Sequence, residues 1–205
     1  MREAAEVELK YLLGCESDLE KLVAALPGFF AELNQQNIYL DDGGILRKND
    51  CLFRIRIENG SGEVTLKVAG GLVDGVSSAV EFTESLTEDS LEKIGSGEFS
   101  EAFRDMNCLE KVETVCGQAL TDLKEWGRIR NLRRCFRLDQ GWIVEVDRAV
   151  FPDGTIRREL ELESESPQAA KEAIEPILEE LKIPWQQAVE SKSCQLFRIL
   201  DGATG

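Results

Sequence analysis

The residues best suited to chemistry in this chain are charged side chains spaced two apart. Glu6, Glu8 and Lys10 alternate with Val7 and Leu9. Arg54 and Arg56 alternate with Ile55 and Ile57, and Thr65 and Lys67 with Leu66 and Val68. Glu145 and Asp147 lie between Val144, Val146 and Arg148, and Glu159, Glu161 and Glu163 are separated by Leu160 and Leu162. In a strand, residues i and i+2 point to the same side, so each set shares a face. Like charges two apart repel one another. One such strand alone is explained by a sheet with one face in water. Several, with acids gathered on some strands and arginines on another, are better explained by a compensating ligand: divalent cations for the carboxylates and an anion for the arginines.

Other chemistries are excluded by composition. The 205 residues contain no histidine. That removes a Ser-His-Asp triad, a Cys-His dyad and a His-ligated metal. A bound metal must use oxygen ligands, which favour Mg²⁺, Mn²⁺ or Ca²⁺. The six cysteines form no C-x-x-C pair, so the expectation is six free thiols packed as small hydrophobes. The net charge of −15 disfavours a general nucleic-acid binder. Yet nine of the 24 Lys and Arg fall in two ten-residue stretches, Arg47 to Arg56 and Arg128 to Arg137, which suggests a local anion site. The longest apolar stretch, near Leu22 to Leu33, is short and contains Pro27. The N-terminus turns acidic at once. These features predict a cytoplasmic protein without a membrane partner.

The elements that must position these side chains are mostly strands. Glu6 to Leu12 reads as a strand by alternation. Glu16 to Leu33 has helical spacing, with Leu19, Leu22, Val23, Leu26 and Phe30 on one face, Ser17 as N-cap with Glu20 in a capping box, and a kink or split at Pro27-Gly28. Asn37 to Leu40 is a short strand before a turn at Asp42-Gly43-Gly44. Cys51 to Glu58 and Glu63 to Val68 form a hairpin through Asn59-Gly60-Ser61-Gly62. A loop, Gly70 to Gly75, leads to a strand over Val80 to Leu86. Thr87 to Trp126 is mostly helical, broken at Gly95-Ser96-Gly97. Arg128 to Leu138 and Trp142 to Val150 form a hairpin around Asp139-Gln140-Gly141, and Thr155 to Glu163 follows Pro152-Asp153-Gly154. Pro167 to Leu181 is an amphipathic helix, and Pro184 to Leu200 closes the chain before a loose tail. With no internal repeat or linker, these elements predict one α+β domain over residues 1–205, built on an antiparallel sheet or barrel. A charged barrel interior is costly unless hydrated, paired or filled by ligand.

Glu6-Val7-Glu8-Leu9-Lys10 matches the E-x-E-x-K signature of the CYTH, or triphosphate tunnel metalloenzyme, family. Leu52-Phe53-Arg54-Ile55-Arg56 resembles its R-x-R strand, and Glu63 to Gly70 resembles the strand that carries Lys67. Asn131 to Phe136 is similar to the strand with a later phosphate-binding arginine, matched by Arg133. Val144-Glu145-Val146-Asp147 and Glu159-Leu160-Glu161-Leu162-Glu163 resemble its two acidic strands, and Ser191-Lys192-Ser193 its C-terminal lysine site. The motifs run in order over nearly the whole chain. The first half is similar to bacterial inorganic triphosphatases and the second to plant tripolyphosphatases. Two departures stand out. The family's R-x-E-x-E strand reads Ala79-Val80-Glu81-Phe82-Thr83 here, so only Glu81 remains. Ala69 stands where some members carry another lysine.

The resemblance implies an α+β fold, an eight-stranded antiparallel β-barrel (triphosphate tunnel) with flanking helices. It implies that Lys10, Arg54, Arg56, Lys67, Arg133 and Lys192 contact phosphates, Arg as a bidentate donor and Lys as a point charge. It implies metal ligation, by Mg²⁺ or Mn²⁺, through Glu6, Glu8, Glu161 and Glu163, with Asp147 and Glu159 ranked behind them. Glu8, Lys10 and Glu81 become the catalytic candidates. The implied activity is metal-dependent hydrolysis of inorganic triphosphate, a small-molecule substrate. The alternatives it leaves open are a class IV adenylate cyclase, a nucleotide or thiamine triphosphatase, and a non-catalytic polyphosphate-binding module.

Overall fold

The computed structural model describes residues 1–138 and 141–202. Nine strands and seven helices follow one another along the described chain: β1 (Arg2–Leu13), α1 (Glu16–Ala25), β2 (Phe29–Asp41), α2 (Ile45–Lys48), β3 (Cys51–Glu58), β4 (Ser61–Val73), β5 (Val76–Ser85), α3 (Glu88–Gly95), α4 (Phe99–Phe103), α5 (Asn107–Cys116), β6 (Lys124–Arg137), β7 (Ile143–Val150), β8 (Ile156–Glu163), α6 (Pro167–Glu180), β9 (Trp185–Gln187) and α7 (Lys192–Gly202). The strand order is β5-β4-β3-β2-β6-β7-β8-β1-β9, and β5 also pairs with β1. That last pairing closes β1 to β8 into the expected eight-stranded antiparallel barrel with flanking helices. Among the described residues, no helix is long and apolar enough to cross a membrane.

The chain divides into two compact units. The first comprises Met1–Ala5, Gln35–Gly70 and Ala79–Arg128. Its core lies between the aliphatic faces of the strands and the helices. Ile38, Leu40, Phe53, Ile55, Val64, Leu66 and Phe82 pack with Ile94, Phe103, Cys108 and Val112. Phe103 has no exposed surface and meets Phe53 edge-on at 5.3 Å between ring centroids. Truncating such a ring to alanine costs about 3–5 kcal/mol.

The second unit comprises Glu6–Asn34, Gly71–Ser78 and Ile129–Gly205. Leu9, Tyr11, Val144, Val146, Leu160 and Leu162 pack under Leu19 and Leu22 of α1 and Ala170, Ile174 and Leu178 of α6. Strand alternation then sends Glu8, Lys10, Asp147, Glu159 and Glu161 to the face away from those helices. The register fixes their neighbours. Lys10 lies opposite Glu161, and Glu8 opposite Glu163. Asp147 lies opposite both Arg133 and Glu159, and Glu145 opposite Glu161.

Several sequence expectations are corrected. The first helix stops at Ala25, and Phe29 to Leu33 belongs to a strand. Gly28 makes that turn at φ +66°, and a Cβ there would lie 2.2 Å from the Arg137 carbonyl oxygen. No residue but glycine fits so close an approach. Phe30 is accordingly exposed. The N-cap is Cys15 and not Ser17, and it makes no side-chain capping bond. The expected loop from Gly70 is mostly strand, because β4 continues to Val73 and turns at Asp74-Gly75. Lys124 to Trp126 is strand as well. The Asn59-Gly60 hairpin is as expected, with both residues at positive φ, 51° and 82°, as a two-residue primed turn requires. The turn expected at Asp139-Gln140 and the tail at 203–205 lie outside the described residues. The cysteines are free thiols; Cys51, Cys108 and Cys135 are buried, and Cys15 and Cys194 are exposed.

Candidate functional site

In the second unit, charged side chains form a ladder along β1, β6, β7 and β8. Asp147, Glu159 and Glu161 are its centre: each is buried, and each offers a carboxylate oxygen within 4.8 Å of the others'. Three buried carboxylates so close would repel strongly and be driven toward protonation. Cations from four elements offset this. Arg133 donates from Nε and Nη2 to the two oxygens of Asp147 at 2.8 and 2.7 Å. Its Nη2 also donates to Glu161 at 2.8 Å, and its Nη1 pairs with Glu145. Lys192, the first residue of α7, donates to Asp147 at 2.8 Å and Glu161 at 2.7 Å and pairs with Glu159. Lys10 donates to Glu161 at 3.0 Å and pairs with Glu8. Arg157 donates to Glu159.

The protonation states follow. Burial raises the Glu161 carboxyl, but the charges of Lys10, Lys192 and Arg133 outweigh it and hold the group well below the usual carboxylate range. Burial and then Arg133 and Lys192 act in the same opposed way on Asp147, with the same net lowering. Desolvation pulls the Lys192 ammonium down, while Asp147, Glu159 and Glu161 raise it well above the ordinary lysine value. Lys10 is likewise raised on balance, by Glu161 and Glu8 against desolvation. Glu145 is shifted toward its neutral form, by burial ahead of the opposing Arg133. Lys10, Asp147, Glu161 and Lys192 are therefore charged together at neutral pH. A buried ion-pair cluster rarely adds stability over an apolar core, so its presence asks for a functional reason.

The first unit holds Arg54, Arg56, Lys67 and Glu81. Arg56 donates from Nε to Asn37 Oδ1 at 3.0 Å, and its Nη1 lies 4.0 Å from Glu63. Lys67 pairs with Glu81 at 3.1 Å. Arg54 differs: its Nε is buried, with no hydrogen-bond partner among the described residues. Thr83, where the family motif has a glutamate, shares a 3.2 Å hydrogen bond with Thr65, and Ala79 is buried.

The structure thus gathers Glu8, Lys10, Arg133, Asp147, Glu159, Glu161 and Lys192. Asp147 and Glu159, ranked behind the others from sequence, have no exposed surface and sit in the carboxylate trio. Glu163 is exposed and Glu6 half-buried. Compensation of the acidic strands is intramolecular, by the four cations. Arg157 is not among the residues that the sequence singles out, and Glu145 is noted there as an acid beside Asp147 without a site role. Arg157 carried one signal, its i−2 position on the Glu159 face. Glu145 carried the same signal beside Asp147.

The order of these groups along the chain is a family pattern, and the CYTH domain family matches residues 4–192. This chain belongs to the CYTH domain family. No curated protein sequence matches it. Among solved structures, this CYTH domain is similar to HpAC1 of Hippeastrum, an adenylyl cyclase candidate with a dominant triphosphatase activity. The identity is 25%, over 94% of this chain and 95% of that one, with a TM-score of 0.88. An adenylate cyclase candidate from Bacillus halodurans shares the fold at 22% identity, over 96% and 100% of the two chains, with a TM-score of 0.71. The Pyrococcus horikoshii protein PH1012 shares it at 17% identity, over 87% and 91%, with a TM-score of 0.56. In this CYTH domain Asp147, Glu159 and Glu161 offer three converging carboxylate oxygens, a donor set that suits an oxygen-liganded cation, and the Lys192 ammonium contacts all three.

Proposed function

We propose that this CYTH domain hydrolyses inorganic triphosphate to pyrophosphate and phosphate with the aid of Mg²⁺ or Mn²⁺. The observation that carries the reading is the interleaving of Asp147, Glu159 and Glu161 with Lys10, Arg133 and Lys192 in one buried cluster. Such a cluster can exchange partners. Phosphate oxygens take the ammonium of Lys192, the ammonium of Lys10 and part of the Arg133 fork. The carboxylates so released regain lone pairs for a hard cation. The triphosphatase activity of HpAC1 supports the same chemistry.

A divalent cation in the trio would neutralise phosphate charge and polarise the terminal phosphoryl group. The protein's part is positioning and electrostatics. Lys10 and Lys192 hold phosphate oxygens, and Arg133 fixes their orientation. Glu8, beside Lys10, orients the attacking water. Water adds to the terminal phosphorus, the bridging P–O bond breaks, pyrophosphate leaves with that electron pair, and the proton the water loses passes to an oxygen of the phosphate products. Arg54, Arg56 and Lys67 are assigned to phosphate and Glu81 to catalysis by family resemblance; Arg54, with its unpartnered Nε, is the most available of these donors. We place the activity in the cytoplasm, the compartment that suits free thiols.

The test is product analysis by chromatography after incubation with tripolyphosphate, ATP or thiamine triphosphate, each with Mg²⁺ and with Mn²⁺. The expected result is equimolar pyrophosphate and phosphate from tripolyphosphate, formed faster than any product from the other two. Cyclic AMP as the main product from ATP would overturn the hydrolase reading. Tight tripolyphosphate binding with no product under either metal would make this a binding module.

A further inference from the structure

Lys192 reaches the carboxylate trio from the first turn of a helix that has little else to hold it. α6 buries Ala170, Ile174 and Leu178, whereas α7 buries Leu196 alone. Its start is fixed by polar contacts instead. Ser191 caps the first turn, accepting a hydrogen bond from the Cys194 backbone N–H at 3.1 Å. Upstream, the Ala188 N–H donates to the Lys10 carbonyl at 3.1 Å. Between these two points stands Arg157. Its Nη2 donates to the Glu190 carbonyl at 2.7 Å and its Nη1 to Gln195 Oε1 at 2.9 Å, while the same guanidinium bonds Glu159. Lys192 therefore lies within a segment clamped on both sides, at 190 and 195, by one side chain of β8.

We infer that Arg157 is a positioning residue for Lys192: it locks the start of α7 to β8, so that the Lys192 ammonium is presented to the substrate's phosphates. Geometry and cost both favour this. Arg157 is 6% exposed, and its Nε has no hydrogen-bond partner among the described residues. Burying a guanidinium with an unsatisfied donor is unfavourable, and a shorter side chain could not span from Glu159 to both anchors. The planar fork supplies the two anchoring bonds at fixed angles, which a lysine at this position cannot reproduce. In the register Arg157 lies opposite Ala149, two pairs beyond Glu159 and Asp147 and so on the same face. It touches the helix start and Glu159, and is placed to act through Lys192 and not on the phosphates themselves.

The inference rests on Lys192 as a phosphate ligand, and a double-mutant cycle on the full chain separates the two. Lys192→Ala, Arg157→Met, Gln195→Met and the paired variants are assayed for tripolyphosphate turnover, with melting temperature as a check on folding. Lys192→Ala is expected to raise KM. Arg157→Met should raise KM about tenfold with kcat changed less than about threefold, the signature of lost binding common to ground and transition states. Gln195→Met, which leaves the Glu159 contact alone, should raise KM about threefold. In the Lys192→Ala background both should have almost no further effect, because coupled residues are non-additive. Equal losses from Arg157→Met in both backgrounds, or unchanged KM in both Arg157→Met and Gln195→Met, would overturn the positioning role. If Arg157→Met fails to fold, Gln195→Met with and without Lys192→Ala decides it. An unaltered KM in Lys192→Ala would instead refute the phosphate assignment of Lys192.

Discussion

Replacing Asp147 by asparagine tests whether the buried cluster is ionised and mutually paired. The side chain has no exposed surface, accepts two bonds from Arg133 and one from Lys192, and its carboxyl is held below the usual range by those cations. Asparagine keeps one acceptor but turns an amide N–H toward groups that can only donate. Breaking a buried pair by removing one partner costs roughly 3–5 kcal/mol. Relief of repulsion from Glu159 and Glu161 puts this case at the lower end, about 3 kcal/mol. For a domain of this length, each kcal/mol moves the melting temperature by about 2–4 °C, so the fall should be about 6–12 °C at pH 7. Calorimetry or circular dichroism measures it, at low ionic strength and again in 1 M NaCl. A buried pair is screened little, so most of the fall should persist in salt. A change under about 2 °C, or a loss confined to low salt, would refute the pairing and leave a hydrated, loosely interacting face.

Exchange of partners makes metal and triphosphate binding mutually reinforcing. Mg²⁺ alone should therefore shift the melting temperature little, tripolyphosphate alone moderately, and both together by more than the sum of the separate shifts; a strictly additive result would contradict the exchange. Outside the cluster, burial raises the Glu16 carboxyl, but hydrogen bonds from Arg158 and Arg148 and their charges together outweigh it and lower its pKa. A depressed folded-state pKa contributes stability above the unfolded value, near 4.3, and that stability is lost as pH falls through the folded value. Glu16→Gln should thus lower the melting temperature by about 1–3 °C at pH 7, the small effect of a half-exposed pair. The difference from wild type should shrink as pH falls below that unfolded value and vanish once the folded-state carboxyl is protonated, and a constant difference across that range would disprove the linkage.

The alternating strands were the legible part of this protein. Glu6 to Lys10 and Glu159 to Glu163 show period two so plainly that their shared faces follow from spacing alone, and Asn59-Gly60 announces its hairpin through residues that tolerate positive φ. Legibility failed where local preference and tertiary pairing disagree. Phe29 to Leu33 continues the apolar spacing of α1, and only the Gly28 contact with the Arg137 carbonyl shows that the chain has turned into β2. Gly70-Gly71 signals a loop, yet β4 runs through both. Within the site, spacing could show that Asp147 and Glu159 point the same way as other acids. It could not show that they meet at the centre, because that depends on the β7–β8 register. Arg157 escaped for the same reason: its partners, Glu190 and Gln195, lie more than thirty residues away in sequence.

The most direct test of the site is Glu161→Gln assayed beside the wild type for phosphate release from tripolyphosphate, with Mg²⁺, with Mn²⁺ and with excess EDTA. Glu161 is where Lys10, Arg133 and Lys192 all converge, and glutamine removes its charge at almost constant volume. The account predicts turnover in the wild type with either metal and none in EDTA. In the variant it predicts a loss of about 10² or more, as for removal of one preorganised charge-stabilising group. Wild-type turnover by Glu161→Gln, or undiminished turnover in EDTA, would contradict it.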